Sequence, residues 1–277
     1  MPITVTKYPN GTYHVKQTLT GPLIYLDHWA VRLFSDDLPL QDRFIRALHH
    51  SSGTLIFSHM NLAEFSLMTD MHQAIQTEEF LDACLPHVYI ADIIAQRGFS
   101  FNNPPPLHDE HPGENWLLKE LALQTGINNG AVTFRSFITD VIKEHGELGK
   151  EFISMKAAVT DAVMQIQTDP LKIKAAQVFK PYPGMTIQDA LRAELIREPQ
   201  LGNPEKFTEN DAIDYIHAVP AVSICNFVLL DGKWCAKVEK AQRRLKKVGI
   251  QPRLAKCFSR RGNGVSDFLA TLESLTP

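Results

Sequence analysis

The chain has 277 residues, of which 44% are apolar, so it can bury a substantial core as one large domain or two small ones. Its formal charge of −3 alone gives no indication of a nucleic-acid partner. The four cysteines are widely spaced and form no C-x-x-C pair, which argues against a zinc ribbon or a disulfide framework and favours a reducing compartment.

The chain shows no targeting or membrane signal. Its N-terminus lacks the basic and then apolar pattern of a signal peptide. The longest apolar stretch, residues 218–230, is interrupted by Pro220 and is too short to span a bilayer. We therefore expect a soluble, cytoplasmic protein that has no membrane partner.

The first elements predict a β-hairpin followed by a parallel-sheet unit. Residues 3–19 alternate around Asn10-Gly11, a turn signal, and predict a hairpin at the edge of the fold over residues 1–20. Residues 23–26 form a short apolar run that is typical of a strand buried on both faces. Asp27 ends this strand, where it either caps the next helix or points into a ligand crevice.

A second β-α unit carries the next acid. Two helices precede residues 54–57, which read as a strand, and a right-handed crossover is expected between the two strands. Residues 61–68 then look helical, with Glu64 between apolar neighbours. An acid in that position needs a cation, or else it is a first-turn residue favoured by the helix dipole. A further helix and a third strand near residues 88–90 complete this part, residues 21–101.

The middle of the chain, residues 102–207, is predicted to be a mainly helical insertion. It opens with three successive prolines at 104–106, which neither a helix nor a central strand tolerates. Helical patterns then cover residues 116–123, 131–166, 171–179 and 187–196, the last opened by Thr186 and Asp189 as a capping pair.

Residues 208–277 return to the α/β pattern. Thr208 is a plausible N-cap with Asp211 at the third helical position, which explains Asp211 structurally. Asp214 lies one turn further in and shares a helix face with His217. A buried strand over residues 227–230 follows and ends at Asp231, as the first strand ends at Asp27. A helix, a final strand at 253–258 and a closing helix at 265–275 complete the fold.

Positive charge is concentrated near the C-terminus. Residues 233–261 contain 11 Lys or Arg and a single acid, a net charge of +10, so the remainder carries −13. The helix over 233–248 holds most of them, and Lys240, Arg243, Arg244 and Lys247 form its candidate phosphate-binding set. The alternative interpretation is a solvated face of an amphipathic helix.

The acids Asp27, Glu64, Asp214 and Asp231 can converge on one rim of a doubly wound sheet. Four carboxylates in close proximity repel one another and raise each other's pKa values, and a divalent cation relieves that repulsion. Oxygen ligands select hard ions such as Mg²⁺ or Mn²⁺. Such a centre can promote an in-line displacement at phosphorus.

In their order and context these acids resemble the PIN-domain ribonuclease family. Its members place an Asp after the first strand, a Glu or Asp in an early helix, and two acids around a late helix–strand unit. The likeness covers residues 23–95 and 208–260 and leaves the insertion without a counterpart. Two positions depart from the family pattern: His28-Trp29 follows Asp27, and Asn226 precedes the last acid's strand where some relatives carry Asp.

The resemblance implies a three-layer α/β/α, Rossmann-like core with a parallel sheet and an endoribonuclease activity. By the same resemblance, Asp27, Glu64, Asp214 and Asp231 are catalytic and hold Mg²⁺ or Mn²⁺, with Asp211 a reserve ligand. His217 is expected to orient Asp214 or to pack against it. The implied substrate is single-stranded RNA, cleaved to a 5′-phosphate and a 3′-hydroxyl. A protein inhibitor and a homo-oligomer stay open.

Three alternatives remain at this point. A PIN-like protein that has lost catalysis would use its helical insertion as a partner surface. A phosphatase with Asp27 as nucleophile normally needs a second Asp two residues later, where this chain has Trp29. A dinucleotide-binding Rossmann enzyme would need a G-x-G-x-x-G motif after the first strand, and none is there.

Overall fold

The computed structural model describes residues 3–11, 13–91, 121, 123–125, 127–143, 147–178, 185–197, 201, 207–250 and 253–275. The proline-rich segment at 102–106 and most of the predicted helix over 116–123 lie outside these residues. Among the described residues, no helix is both long and apolar enough to cross a membrane.

A five-stranded parallel sheet forms the centre of the fold. Its strands are β3 (Leu23–Leu26), β4 (Thr54–Ser58), β5 (Val88–Ala91), β6 (Phe227–Leu229) and β7 (Lys256–Phe258), after a separate hairpin of β1 (Ile3–Lys7) and β2 (Tyr13–Gln17). The strand order is β5-β4-β3-β6-β7, so β3 is central, and its Ile24 lies opposite Leu55 and Phe227. The predicted α/β class with a parallel sheet is confirmed.

Helices connect the strands and cover both faces of the sheet. In the described part of the chain they are α1 (His28–Asp36), α2 (Leu38–His50), α3 (His59–Phe65), α4 (Met71–Cys84), α5 (Phe137–Lys143), α6 (Glu147–Thr168), α7 (Pro170–Gln177), α8 (Ile187–Leu195), α9 (Glu209–Ile224), α10 (Gly232–Lys247) and α11 (Gly264–Glu273).

Alternation along the strands divides the core into two parts. Side chains of a strand point to opposite faces in turn, so Ile24 and Leu26 enter one hydrophobic cluster and Tyr25 enters the other. The first cluster lies under α1, α2, α4 and α11, where Phe34, Phe44 and Phe268 pack ring against ring. The second lies under α8, α9 and α10. This two-sided burial explains why the strands read as continuous apolar runs.

The N-terminal hairpin covers an edge of the sheet. β1 and β2 pair antiparallel, with Val5 opposite Val15, and Gly11 in the turn has a positive φ of 84°. The buried Gln17 side chain donates to the carbonyl of Ile90, at 2.8 Å, and accepts from its N–H, at 3.0 Å. An amide side chain thus satisfies backbone groups of edge strand β5 that would otherwise be open to another strand.

The single helix predicted over residues 131–166 is wrong at its start. Residues 131–136 are not helical, and Ser136 has a positive φ of 66°. The Glu78 carboxylate of α4 accepts the N–H groups of Ser136, Ile138 and Thr139 at 2.7–2.9 Å, so it caps α5. A carboxylate from another part of the chain therefore sets this helix start, which local periodicity does not reveal.

The described helices of the insertion pack on the α/β core. α6 contacts α3 and α9, and α8 contacts α9 and α10. α6 therefore touches both α3 and α9, the helices that carry Glu64 and Asp214.

Candidate active site

The acids of the sheet lie at its carboxyl edge, where the strand order reverses. β3 has β4 on one side and β6 on the other, and the Asp27 N–H donates to the carbonyl of Leu229 at 3.0 Å. Asp27 follows β3 and Asp231 follows β6 by two residues. In open parallel sheets this switch point is where ligands bind.

Asp27 is both a helix cap and a buried acid. Its side chain is 5% exposed, and Oδ1 accepts the His28 N–H at 2.9 Å at the start of α1. Burial raises the pKa of Asp27 to about 6; the nearby Glu64 also raises it, whereas His217 lowers it. The two interpretations of Asp27 are therefore compatible, because the cap uses one of its two oxygens.

Glu64 lies at the centre of the site, between two histidines. The capping box of Ser58 and Asn61 starts α3, which brings Glu64 within 3.0 Å of His28 Nδ1 and 3.3 Å of His217 Nε2. Burial alone would raise the pKa of Glu64, but its contacts with His217 and His28 outweigh burial and lower the pKa to about 2. Glu64 is consequently an ionised carboxylate.

His217 is fully buried on α9 and contacts Glu64 and Tyr25. Its Nδ1 forms a short hydrogen bond with the Tyr25 hydroxyl, and its Nε2 faces Glu64 Oε2. Burial disfavours the imidazolium, yet Glu64, Asp27 and Asp214 together raise the pKa of His217. The expectation that His217 orients Asp214 is corrected: its ring nitrogens contact β3 and α3.

Asp214 lies beside this group and is held from α10. The Trp234 indole N–H donates to Asp214 Oδ2 at 2.9 Å. Burial raises the pKa of Asp214 to about 7, and the nearby carboxylate of Asp27 adds to the rise. An acid with a pKa near neutrality suits proton transfer, since both of its protonation states are populated at working pH.

Asp211 caps α9 and pairs with a lysine. Its Oδ2 accepts from the N–H and hydroxyl of Thr208, each at 2.9 Å, and its Oδ1 accepts from Lys233 Nζ at 2.7 Å. The capping box predicted at Thr208 is confirmed. These contacts give Asp211 a structural role, and its role as a reserve ligand stays a prediction.

Asp231 is exposed and lies at the border of the site. Its Oδ1 accepts the Lys233 N–H at 2.7 Å, so it caps α10. Among the described residues, the group whose ligand atoms all lie within 4.8 Å of one another comprises Asp27, Glu64 and His217. Asp231 and Asp214 are outside that trio, although Asp231 is near enough to raise the pKa of Asp214.

One of the four predicted phosphate-binding residues has a structural role. Arg244 forms an ion pair with the buried carboxylate of Glu194 on α8 and also donates to the Glu194 carbonyl at 2.9 Å. Its prediction as an RNA contact is therefore corrected, because the guanidinium holds α8 against α10. Lys240, Arg243 and Lys247 are exposed on the outer face of α10.

Three residues of the site were missed in the sequence: Tyr25, His28 and Trp234. Each belongs to a run that also serves the fold, so no periodicity separates them from core residues. The available signal is chemical, since a buried Tyr or Trp needs a partner for its polar tip. Tyr25 contacts His217 and Trp234 contacts Asp214, and both of these partners lie on α9. Tyr25 is about 190 residues from its partner in the sequence, and Trp234 is 20 residues from its partner.

The donor atoms fit a divalent cation. Glu64 Oε2 and His217 Nε2 are buried and have no hydrogen-bond partner. His217 Nε2 and Glu64 Oε2, 3.3 Å apart, therefore form an ion pair that lacks the geometry of a hydrogen bond. Buried polar atoms are normally satisfied, so such a group points to a missing ligand. Two carboxylates and an imidazole are common metal ligands.

Comparison with known proteins gave no relative for this chain. No protein-family model matches it, and no curated protein and no solved structure matches it either.

Proposed function

We propose that the protein is a metal-dependent endoribonuclease with a PIN-like active site. The observation that carries the proposal is the trio of Asp27, Glu64 and His217, whose ligand atoms lie within 4.8 Å of one another at the switch point of a parallel sheet. In this proposal the trio holds a Mg²⁺ or Mn²⁺ ion.

Each residue near the trio has a defined task in the proposed reaction. A bound divalent cation lowers the pKa of water and stabilises negative charge on phosphate oxygens. Asp214 accepts a proton from the attacking water, because Trp234 occupies its Oδ2 and leaves Oδ1 for the proton. His28 orients Glu64 through the 3.0 Å contact of Nδ1 with Oε1. The products are a 5′-phosphate and a 3′-hydroxyl.

The exposed face of α10 is the proposed RNA-binding surface. α10 begins directly after Asp231 and carries Lys240, Arg243 and Lys247 outward. At 1.5 Å per residue these side chains branch from the helix about 12–23 Å from its start. They would therefore bind phosphates of a single strand that lie several nucleotides from the cleaved bond.

A second candidate is a PIN-like binding protein without catalysis. His217 pairs with Glu64, and an imidazolium would provide the positive charge that these carboxylates need. The described insertion helices also expose apolar side chains, with Leu171 79% and Met164 45% exposed. In this candidate the insertion binds a partner protein.

Metal-dependent cleavage separates the two candidates. The full chain, stripped of metal with EDTA, is incubated with a 5′-labelled single-stranded RNA and then with added Mn²⁺ or Mg²⁺. The nuclease proposal expects cleavage only with added metal, near-background activity in Asp27→Asn, and retained activity in the control Asp70→Asn, an exposed N-cap aspartate at the start of α4. Cleavage that survives in Asp27→Asn, or none with either metal, overturns it.

A further inference from the structure

His217 has one buried ring nitrogen without a hydrogen-bond partner, and that nitrogen points into the acidic group. Its Nε2 lies 3.3 Å from Glu64 Oε2, and one ring nitrogen of His217 lies within 4.8 Å of a carboxylate oxygen of Asp27. The side chain is 0% exposed, so the ring has no contact with bulk solvent. A nitrogen donor therefore stands among carboxylates, where an all-oxygen set was predicted.

The other ring nitrogen of His217 has a partner that fixes the ring. The Tyr25 hydroxyl forms a hydrogen bond with Nδ1 from the middle of β3, where the Tyr25 side chain is fully buried. When Nδ1–H donates to the Tyr25 oxygen, the lone pair is on Nε2 and faces the carboxylates. Histidines that bind metals are commonly held in this way through their second nitrogen.

A nitrogen ligand changes which ions the site prefers. Carboxylates and water suit Mg²⁺, Ca²⁺ and Mn²⁺, whereas imidazole suits zinc, copper, iron and nickel ions. Mg²⁺ also keeps most of its water shell and binds few protein ligands. Mn²⁺ is the ion of the proposed pair that accepts both oxygen and nitrogen donors.

We propose that His217 Nε2 is a ligand of the metal, that Tyr25 is its positioning residue, and that this nitrogen makes the centre select Mn²⁺ over Mg²⁺. The inference rests on the metal centre of the proposed function. It adds a specificity that four carboxylates alone would not provide.

Binding and spectroscopy on the metal-free full chain test this inference without any RNA. Mn²⁺ binding is measured by electron paramagnetic resonance titration, Mg²⁺ binding by competition, and the ligand type by ¹⁴N modulation of the Mn²⁺ spin echo. Wild-type protein should bind Mn²⁺ at least about tenfold more tightly than Mg²⁺ and show ¹⁴N modulation. His217→Gln should lose the modulation and most of the selectivity, while His28→Gln should keep the modulation.

Tyr25→Phe tests the positioning role. It should weaken Mn²⁺ binding by about 10–100-fold, the usual effect of removing a partner of a ligating histidine, while the ¹⁴N modulation persists in the loaded fraction. Tyr89→Phe is the matched control, because Tyr89 is an equally buried tyrosine in the same hydrophobic cluster, on β5. It should leave Mn²⁺ binding unchanged.

Three results overturn the inference: wild-type protein without ¹⁴N modulation, modulation that survives in His217→Gln, or equal affinity for the two ions. The wild-type spectrum decides the question even when a variant fails to fold. Mn²⁺ bound through nitrogen without RNA cleavage would reject the nuclease proposal and keep this inference. RNA cleavage by a protein without ¹⁴N modulation would keep the nuclease proposal and reject this inference.

Discussion

Replacing Asp214 with asparagine should stabilise the metal-free protein more at pH 8 than at pH 5. Burial and the neighbouring Asp27 raise the pKa of Asp214 from 3.8 to about 7. The folded state thus keeps a proton that the unfolded state releases, and the contribution of this group to stability falls as pH rises through that window. Asparagine has no such proton and can still accept the indole N–H of Trp234 through Oδ1.

The size of the effect follows from the pH range between 5 and about 7, the pKa of Asp214 in the folded state. Within this range the folded state keeps the proton and the unfolded state has released it. Two pH units, at about 1.4 kcal/mol each, give about 3 kcal/mol. Asp214 is only half-buried, so solvent screening reduces the expected difference to about 2 kcal/mol. The free energy of unfolding of Asp214→Asn, minus that of wild type, should therefore be about 2 kcal/mol larger at pH 8 than at pH 5, which means a more stable variant at pH 8.

Urea denaturation followed by far-UV circular dichroism, in EDTA, measures this difference at both pH values. Asp70→Asn is the matched control, since Asp70 is an exposed N-cap aspartate at the start of α4. Its effect should change little with pH because solvent screens the charge. If Asp214→Asn changes the free energy of unfolding equally at pH 5 and pH 8, the surroundings do not raise the pKa of this carboxyl group. The electrostatic account of the site is then refuted.

Three further predictions concern residues around the site. Asp211→Ala should cost about 1–2 kcal/mol of unfolding free energy through the lost cap, yet keep any Mn²⁺-induced rise in melting temperature; loss of that rise would place Asp211 among the ligands. Arg244→Gln should cost about 2–3 kcal/mol in urea denaturation, below the usual cost of a broken buried pair because a second arginine contacts the Glu194 carboxylate. A cost near zero would contradict the structural role. Arg243→Gln with Lys247→Gln should flatten the salt dependence of RNA binding, measured by fluorescence anisotropy with Ca²⁺, by about 1.4 in log–log slope; an unchanged slope would exclude this face of α10.

The sheet was predictable because its strands carry their own signals. Short apolar runs bounded by turn residues identify buried parallel strands, and the acid at the end of a run marks the carboxyl edge. Asp27 and Asp231 were thereby assigned to the same edge, where the structure has them. The pairing of β3 with both β4 and β6 then follows from the common order of doubly wound sheets.

Partnerships between distant residues were not predictable in the same way. His217 reads in sequence as a neighbour of Asp214, but the helix turns its ring toward Tyr25 and Glu64. The basic stripe of α10 looks uniform, although Arg244 forms an ion pair with a buried glutamate. These roles depend on how helices pack across the sheet, and periodicity indicates only which face of a helix is buried, not what that face meets.

The location of a bound Mn²⁺ ion tests the central claim most directly. Crystals of the full chain soaked in Mn²⁺ would be measured at the manganese absorption edge, where an anomalous peak identifies the ion. We predict one peak in contact with Asp27, Glu64 and His217, with the ion pair between Glu64 and His217 replaced by metal contacts. The absence of a peak there, with the pair intact, would contradict the metal centre and with it the proposed nuclease.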